Sequence, residues 1–221
     1  MIALRDVSKS VIEPDGSARV LFDRLDFELS DQDHSVAVTG RSGAGKSTLL
    51  RILAGLDTDF TGTYMHDGRI LQRTAPEMAA HRLRHVGLVT QDYSLLNDRS
   101  VLDNVRLGVP DRARATCGAL HALEAVGISH LASKRPRRLS GGEAQRVAIA
   151  RAIAKHPTVL LADEPTGALD ETTESEVLRL FDQLQHGGCK LVIVTHSDRV
   201  AERCERQLQV HRHQLVARSV S

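Results

Sequence analysis

The sequence predicts an α/β fold with a mostly parallel central sheet, an N-terminal antiparallel β layer and an inserted helical subdomain. Three observations carry that expectation. Four short, nearly continuous apolar runs, SVAVT (35–39), VGLVT (86–90), TVLLA (158–162) and KLVIVT (190–195), read as strands buried on both faces. Ile2–Val7 and Val20–Leu29 alternate instead, as half-buried antiparallel strands do. Between Ser94 and Arg138 strand patterning stops and helical spacing takes over. The whole chain, 1–221, is expected to be one domain, with the helical subdomain at 94–157.

Composition narrows the function classes. Lys and Arg total 29 against 28 Asp and Glu, so no strong field favours nucleic acid or an anionic membrane surface. Aromatic residues make up 3% of the chain, too few for base-stacking platforms. Three cysteines, Cys117, Cys189 and Cys204, lie far apart and read as reduced thiols. MIALRDVSKS lacks the apolar stretch of a signal peptide, and no window approaches 18 apolar residues, so any membrane role is expected to need a separate chain.

Taken in order, Ile2–Val7 and Val20–Leu29 alternate on either side of a Pro-Asp-Gly turn, with Leu21, Leu25, Phe27 and Leu29 as candidate core. SVAVT then runs into GRSGAGKS and TLLRILAG, which is strand, glycine loop, helix. The loop matches G-x-x-x-x-G-K-[ST] at Gly40, Gly45, Lys46 and Ser47, the pattern of a P-loop NTPase core. Its glycines let backbone N–H groups turn inward around an anion. The helix N-terminus adds its dipole, Lys46 a positive charge and the Ser47 hydroxyl a ligand for Mg²⁺. Gly40, Arg41, Ser42, Gly43, Ala44, Gly45, Lys46, Ser47 and Thr48 are therefore the expected triphosphate contacts.

A hairpin is expected over Thr61–Leu71 with Asp67-Gly68 as its turn, and a polar helix over Glu77–Arg84. Gln91 stands at the C-terminal end of VGLVT, where parallel sheets bind ligands. In the helical stretch, Val101, Val105, Leu107, Leu120, Leu123 and Val126 form the expected apolar face. KRPRR (134–138) reads as a solvated loop, since Pro136 forbids a regular basic helix.

Ser140 and Glu143 form a helix capping box around Gly141 and Gly142. Each glycine costs about 1 kcal/mol against Ala inside a helix. A close approach to the backbone, such as a phosphate drawn to the N–H groups, accounts for both. TVLLA ends in Asp163, placed to hold Mg²⁺, and Glu164, placed to polarise an attacking water. An acidic-fronted helix, Glu171–Gln185, buries Val177, Leu180, Phe181 and Leu184. His196 stands at the exit of KLVIVT. A final hairpin, Gln207–His211 with Gln214–Arg218, would put His211 and His213 on one face, without an acid or cysteine to complete a metal site.

The ordered set GRSGAGKS, Gln91, LSGGEAQR, VLLADEP, GALD and His196 resembles the nucleotide-binding subunit of ABC transporters over essentially the whole chain. The resemblance implies ATP and Mg²⁺ as cofactors and roles for each matching residue. Gly40–Ser47 become the Walker A loop, and Gln91 a sensor of Mg²⁺ and of the membrane partner. Ser140, Gly141, Gly142 and Glu143 belong to the signature, which closes over the ATP of a second, head-to-tail subunit. Asp163 becomes the magnesium partner, Glu164 the catalytic base, Asp170 the D-loop aspartate and His196 the contact to the γ-phosphate. Partners implied are a second copy of the chain and a separate permease, with no nucleic acid, so the chain would lie peripherally on the inner face of the cell membrane.

VTQDYSLLNDRSVLDNV and LLADEPTGALD resemble the branch of lipoprotein-release, macrolide-efflux, cell-division and bacteriocin-export ATPases. Within it the expectation is export of a peptide or amphiphile. Two alternatives stay open: an ATPase of the same branch driving a cell-envelope or cell-division event without transport, and an ATP-responsive binding module. Intact Glu164 and His196 weigh against the last. The chain departs from the family in having Val11 where an aromatic residue usually stacks on adenine, and Asp33-His34 where Gly-Glu is usual. Val11 is thus the expected base contact, with Phe22 as the nearby aromatic alternative.

Overall fold

A computed structural model describes residues 1–167 and 169–218. Ala168, inside the GALD stretch, lies outside the described residues. The chain forms two compact units, Met1–Arg82 with Val192–Ser221, and Leu83–Leu191.

The first unit opens with β1 (Ile2–Ile12) and β2 (Ala18–Leu29), joined by the expected turn. With β4 (Thr61–His66) and β5 (Arg69–Leu71) they form an antiparallel sheet ordered β2-β1-β4-β5. Leu21, Leu25, Phe27 and Leu29 are all buried. β1 runs past its expected end at Val7 because register shifts between Leu4 and Ser10 break the alternation without breaking the pairing. The shifts turn Lys9 inward, where its ammonium donates to Asp57 Oδ1 at 3.0 Å and the Asp59 carbonyl at 2.5 Å. Asp67 and Gly68 have φ of 48° and 75°, the two left-handed residues of a tight hairpin turn.

Between β2 and β4 lie β3 (Ser35–Thr39), buried at every residue, and α1 (Lys46–Leu53). β3 pairs parallel with β9 (Arg206–His211), which pairs antiparallel with β10 (Gln214–Ala217). That hairpin is the one expected, but its turn is Arg212-His213, so His213 sits in the turn and not on a strand face with His211. α2 (Ala75–His85) begins two residues before the expected polar helix, and α7 is one turn, Asp198–Ala201.

In the second unit β6 (Val86–Val89) pairs parallel with β7 (Val159–Asp163), Val86 opposite Val159. α3 (Val101–Arg106), α4 (Ala115–Ala125) and α5 (Gly141–Ile153) pack on one another, and α6 (Glu171–His186) follows β7. β8 (Lys190–Val194) leads back to the first unit. Among the described residues, the stretch 94–157 contains α3, α4, α5 and two short 3₁₀ turns, one at Pro136–Arg138, and no strand.

Val101, Val105, Leu123 and Val126 are buried as expected, but Leu107 and Leu120 are 53% and 41% exposed. Leu107 caps α3 beyond its last turn. α4 buries Ala115, Ala119, Ala122 and Leu123, a stripe that leaves Leu120 one position off. Asn104, fully buried, closes the loop before α3: its amide donates to the Leu96 and Ser100 carbonyls and accepts from Leu96 N–H.

Candidate functional site

The phosphate loop runs from the end of β3 into α1. Gly45 has φ 96°, and a Cβ there would come within 2.9 Å of the Phe22 ring. Glycine is thus required twice, by a left-handed backbone and by a ring packed against it. Phe22 is completely buried, so it is a wall of the loop and not a nucleobase contact. That corrects the aromatic alternative drawn from sequence, where Phe22 is a neighbour only along the chain. α1 has no side-chain N-cap and no acidic residue in its first turn, which keeps that end receptive to an anion. Ser47 is exposed there.

Lys46 is 6% exposed, and its ammonium donates to the carbonyls of Gly40 at 3.0 Å and Arg41 at 3.1 Å. His196 Nε2 lies 3.0 Å from the same nitrogen. An ammonium has no lone pair, so Nε2 must accept and the ring proton of a neutral imidazole sits on Nδ1. The histidine reaches Lys46 because Thr195 N–H donates to the Val38 carbonyl at 3.2 Å, seating the exit of β8 beside β3. Val11, half-buried on β1, pairs across the strand with Arg19.

In the second unit, Asp163 ends β7, and its buried Oδ1 has no hydrogen-bond partner among the described residues. A buried, unpartnered carboxylate oxygen is what a hard cation requires, so the side chain fits a Mg²⁺ ligand. Glu164 follows with φ 46°, a left-handed backbone that costs about 1–3 kcal/mol in a residue with a Cβ. Its carbonyl accepts from Gly167 N–H at 3.2 Å, and this turn sets where its carboxylate points.

Gln91 is exposed in the turn after β6. The loop behind it is held by Arg151 of α5, whose guanidinium donates to the carbonyls of Tyr93 and Ser94, both at 2.6 Å. Those two residues have φ of 60° and 45°, so the clamp holds an unfavourable backbone. No local pattern in the sequence announces Arg151.

The Ser140–Glu143 capping box is present in both directions, at 3.2 Å and 2.7 Å. It uses the N–H groups of Ser140 and Glu143, not those of Gly141 and Gly142. The two glycines have different reasons. A Cβ on Gly142 would lie 2.4 Å from Thr173 Cγ2, so packing within the chain by itself calls for a glycine here, a reason the sequence did not offer. Gly141 has its nearest neighbours, Tyr93 Oη and Leu169 Cδ2, at 3.9 and 4.0 Å. Its backbone is the approachable one.

Thr173 also serves Asp170, the N-cap of α6. The Asp170 carboxylate accepts from Thr173 N–H at 3.0 Å, from Thr173 Oγ1 at 2.8 Å and from Thr172 N–H at 3.1 Å, contacts that hold its carboxyl below the usual range. One threonine therefore touches the start of α5 and orders the start of α6. An Asp-x-x-Thr spacing at a helix start was the available signal for the cap, though not for the contact with Gly142.

The family model for ABC transporter matches residues 22–167. The chain is 45% identical over 222 residues to the lipoprotein-releasing system ATP-binding protein LolD of Oleidesulfovibrio alaskensis, covering 97% of itself and 95% of that protein. It is 42% identical to the macrolide export ATP-binding/permease protein MacB 1/2 of Paracoccus denitrificans, covering 98% of itself but 33% of that longer protein. Among solved structures it is similar to the dimeric bacterial ABC transporter cassette MJ0796, with TM-score 0.88, 31% identity and coverage of 97% and 96%. It is similar also to the post-hydrolysis dimer of that cassette bound to ADP and Pi, with TM-score 0.87, 30% identity and the same coverage. The chain belongs to the ABC transporter family, as an ATP-binding cassette with the ATPase activity of that family.

Proposed function

We propose that two copies of this cassette close around two ATP molecules and drive a separate membrane permease that moves an amphiphile or peptide. The observation that carries the reading is the phosphate loop itself. Lys46 is pinned inside it beside His196, and the helix start behind it has no side-chain cap or acid to compete with a phosphate. In this reading the backbone from Gly40 to Thr48 holds the triphosphate, Glu164 orients the attacking water and His196 meets the γ-phosphate. Ser47, Asp163 and Gln91 hold Mg²⁺, for which the unpartnered Asp163 oxygen is the supporting feature. The bound ion would screen the phosphate charge.

The dimer is supported by the likeness to a cassette solved as a dimer. In it, the exposed turn at Ser140–Gly142 would meet the ATP of the second copy, with Asp170 nearby on the D-loop. The domain reading remains a single cassette with a helical subdomain at 94–157. Among the described residues no helix is long and apolar enough to cross a membrane. A permease would thus keep the cassette on the inner face. The cargo class is supported by the relatives' names, since lipoproteins and macrolides are both amphiphilic.

The test is ATP turnover by the purified chain, alone and reconstituted with its permease in lipid vesicles, with and without a lipopeptide. Turnover that rises with permease and again with lipopeptide is expected. Absence of Mg²⁺-dependent ATP hydrolysis in both settings would sink the reading. Turnover indifferent to every amphiphile tried would favour a mechanical role in the cell envelope.

A further inference from the structure

We infer that Arg19 is the nucleobase-facing residue of the ATP site, its flat guanidinium taking the place of an aromatic ring; this rests on reading the loop at 40–47 as the triphosphate site. Arg19 lies directly opposite Val11 across the β1–β2 pair, so the two side chains share a face. Its Nη1 reaches to 3.4 Å from where a Cβ on Gly43 would stand, which places the guanidinium against the phosphate loop. Its Nε lies 2.6 Å from Glu13 Oε1, an ion pair at the edge of the guanidinium that leaves its faces uncovered by that partner. Arg19, Leu21 and Gly43 line one cavity of about 660 Å³.

A nucleotide anchored by its phosphates must leave its base beside the loop. Bases are held by stacking on a flat partner. Among the described residues of this unit, every Phe and Tyr is buried: Phe22, Phe27, Phe60 and Tyr64 are at most 7% exposed. Val11 offers no flat face. The Arg19 guanidinium is planar, weakly hydrated and half-exposed, with 50% of its side chain accessible, and such groups stack on π-systems. His211 and His213 line the same cavity from the β9–β10 hairpin and are the rival rings. Among the described residues neither is in an ion pair, whereas Arg19 is paired with Glu13 and reaches Gly43 of the loop.

The experiment is calorimetric titration of the full chain with Mg·ATP and, separately, with magnesium tripolyphosphate, which has no base. Arg19→Ala should weaken ATP about threefold to tenfold and leave tripolyphosphate within about twofold. Arg19→Lys keeps the charge and loses the plane, and should behave like Arg19→Ala toward ATP. Equal loss of both ligands, or ATP binding unchanged in Arg19→Ala, would overturn the assignment. So would a loss of ATP affinity that appears in His211→Ala or His213→Ala and not at Arg19. Thermal unfolding of Arg19→Lys checks that the hairpin still folds, and Glu13→Gln asks whether the ion pair alone mattered: it should weaken ATP less than Arg19→Ala, and an equal effect would count against the proposal. Lys46→Ala should lose both ligands. If it loses neither, the phosphate-site reading fails, independently of what Arg19 does.

Discussion

The ammonium of Lys46 donates to Nε2 of His196 at 3.0 Å, joining residues 150 positions apart at the centre of the phosphate loop. With the Gly40 and Arg41 carbonyls it engages all three protons of the lysine. A phosphate entering the loop must therefore draw Lys46 away from some of these partners, and of the three His196 is the side chain, able to turn toward the phosphate by rotation about its own bonds. We expect His196→Ala to keep ATP affinity within about threefold while turnover falls by about 10²-fold, the scale for losing one preorganised transition-state contact. Equilibrium binding and single-turnover hydrolysis on the same preparation check this. Affinity falling in step with turnover would show that His196 acts by holding Lys46.

Glu164 combines a strained backbone with a place next to the proposed metal ligand. Glu164→Gln should keep ATP binding and cut turnover by about 10²-fold or more, within the range for loss of a general base. Hydrolysis assays with saturating Mg·ATP, with the permease present where turnover needs it, decide the point. A near wild-type rate would remove Glu164 from the base role.

The two signature glycines should separate by experiment. Gly142→Ala would normally favour a helix by about 1 kcal/mol. Here the new methyl meets Thr173 Cγ2, so it should destabilise by about 1–3 kcal/mol, with partial rescue by Thr173→Ser, which deletes that methyl and keeps the hydroxyl. Urea unfolding of the two single variants and the double variant measures the coupling.

Gly141→Asp has room for its side chain, and an acid in the first turn of a helix is compatible with the dipole, so its unfolding midpoint should stay close to wild type. It should nevertheless abolish the ATP-dependent dimer that Glu164→Gln traps, by placing a negative charge where the second copy's phosphate would sit. Light scattering with Mg·ATP, with and without permease, reads this out. A Glu164→Gln protein that stays monomeric in both settings would defeat the closed-dimer mechanism.

With no ring at Val11 and a guanidinium as the flat partner, which stacks on either purine, ATP and GTP should bind with similar, modest affinity. Val11→Tyr should tighten ATP by up to about tenfold. Phe22→Ala should weaken both nucleotides together, because it removes the wall behind Gly45 and leaves a cavity costing about 3–5 kcal/mol. ATP preference that collapses only in Phe22→Ala would contradict its buried position.

Much of the fold was legible because it is written locally. A five-residue apolar run, an alternating strand or a Ser-x-x-Glu cap is fixed by neighbours within a turn or two, and β3, β7, α5 and the Asp67-Gly68 turn all lie where the pattern put them. The glycine loop is equally local, since its chemistry depends on consecutive backbone N–H groups. Pattern and structure part where a residue's fate depends on a distant partner. β1 outruns its alternation because Lys9 finds Asp57, and Leu107 and Leu120 stay exposed because helix packing selects a different stripe.

The sequence by itself determined the phosphate loop, the acidic strand end and the order of the motifs, because contiguous residues carry each of them. Only tertiary structure decided that Phe22 lies behind Gly45, that Gly142 makes room for Thr173, that Lys46 meets His196 and that Arg19 leans on Gly43. Each is a contact between segments far apart in the chain. Its geometry follows from how strands pair and helices pack, which no periodicity within a single segment records.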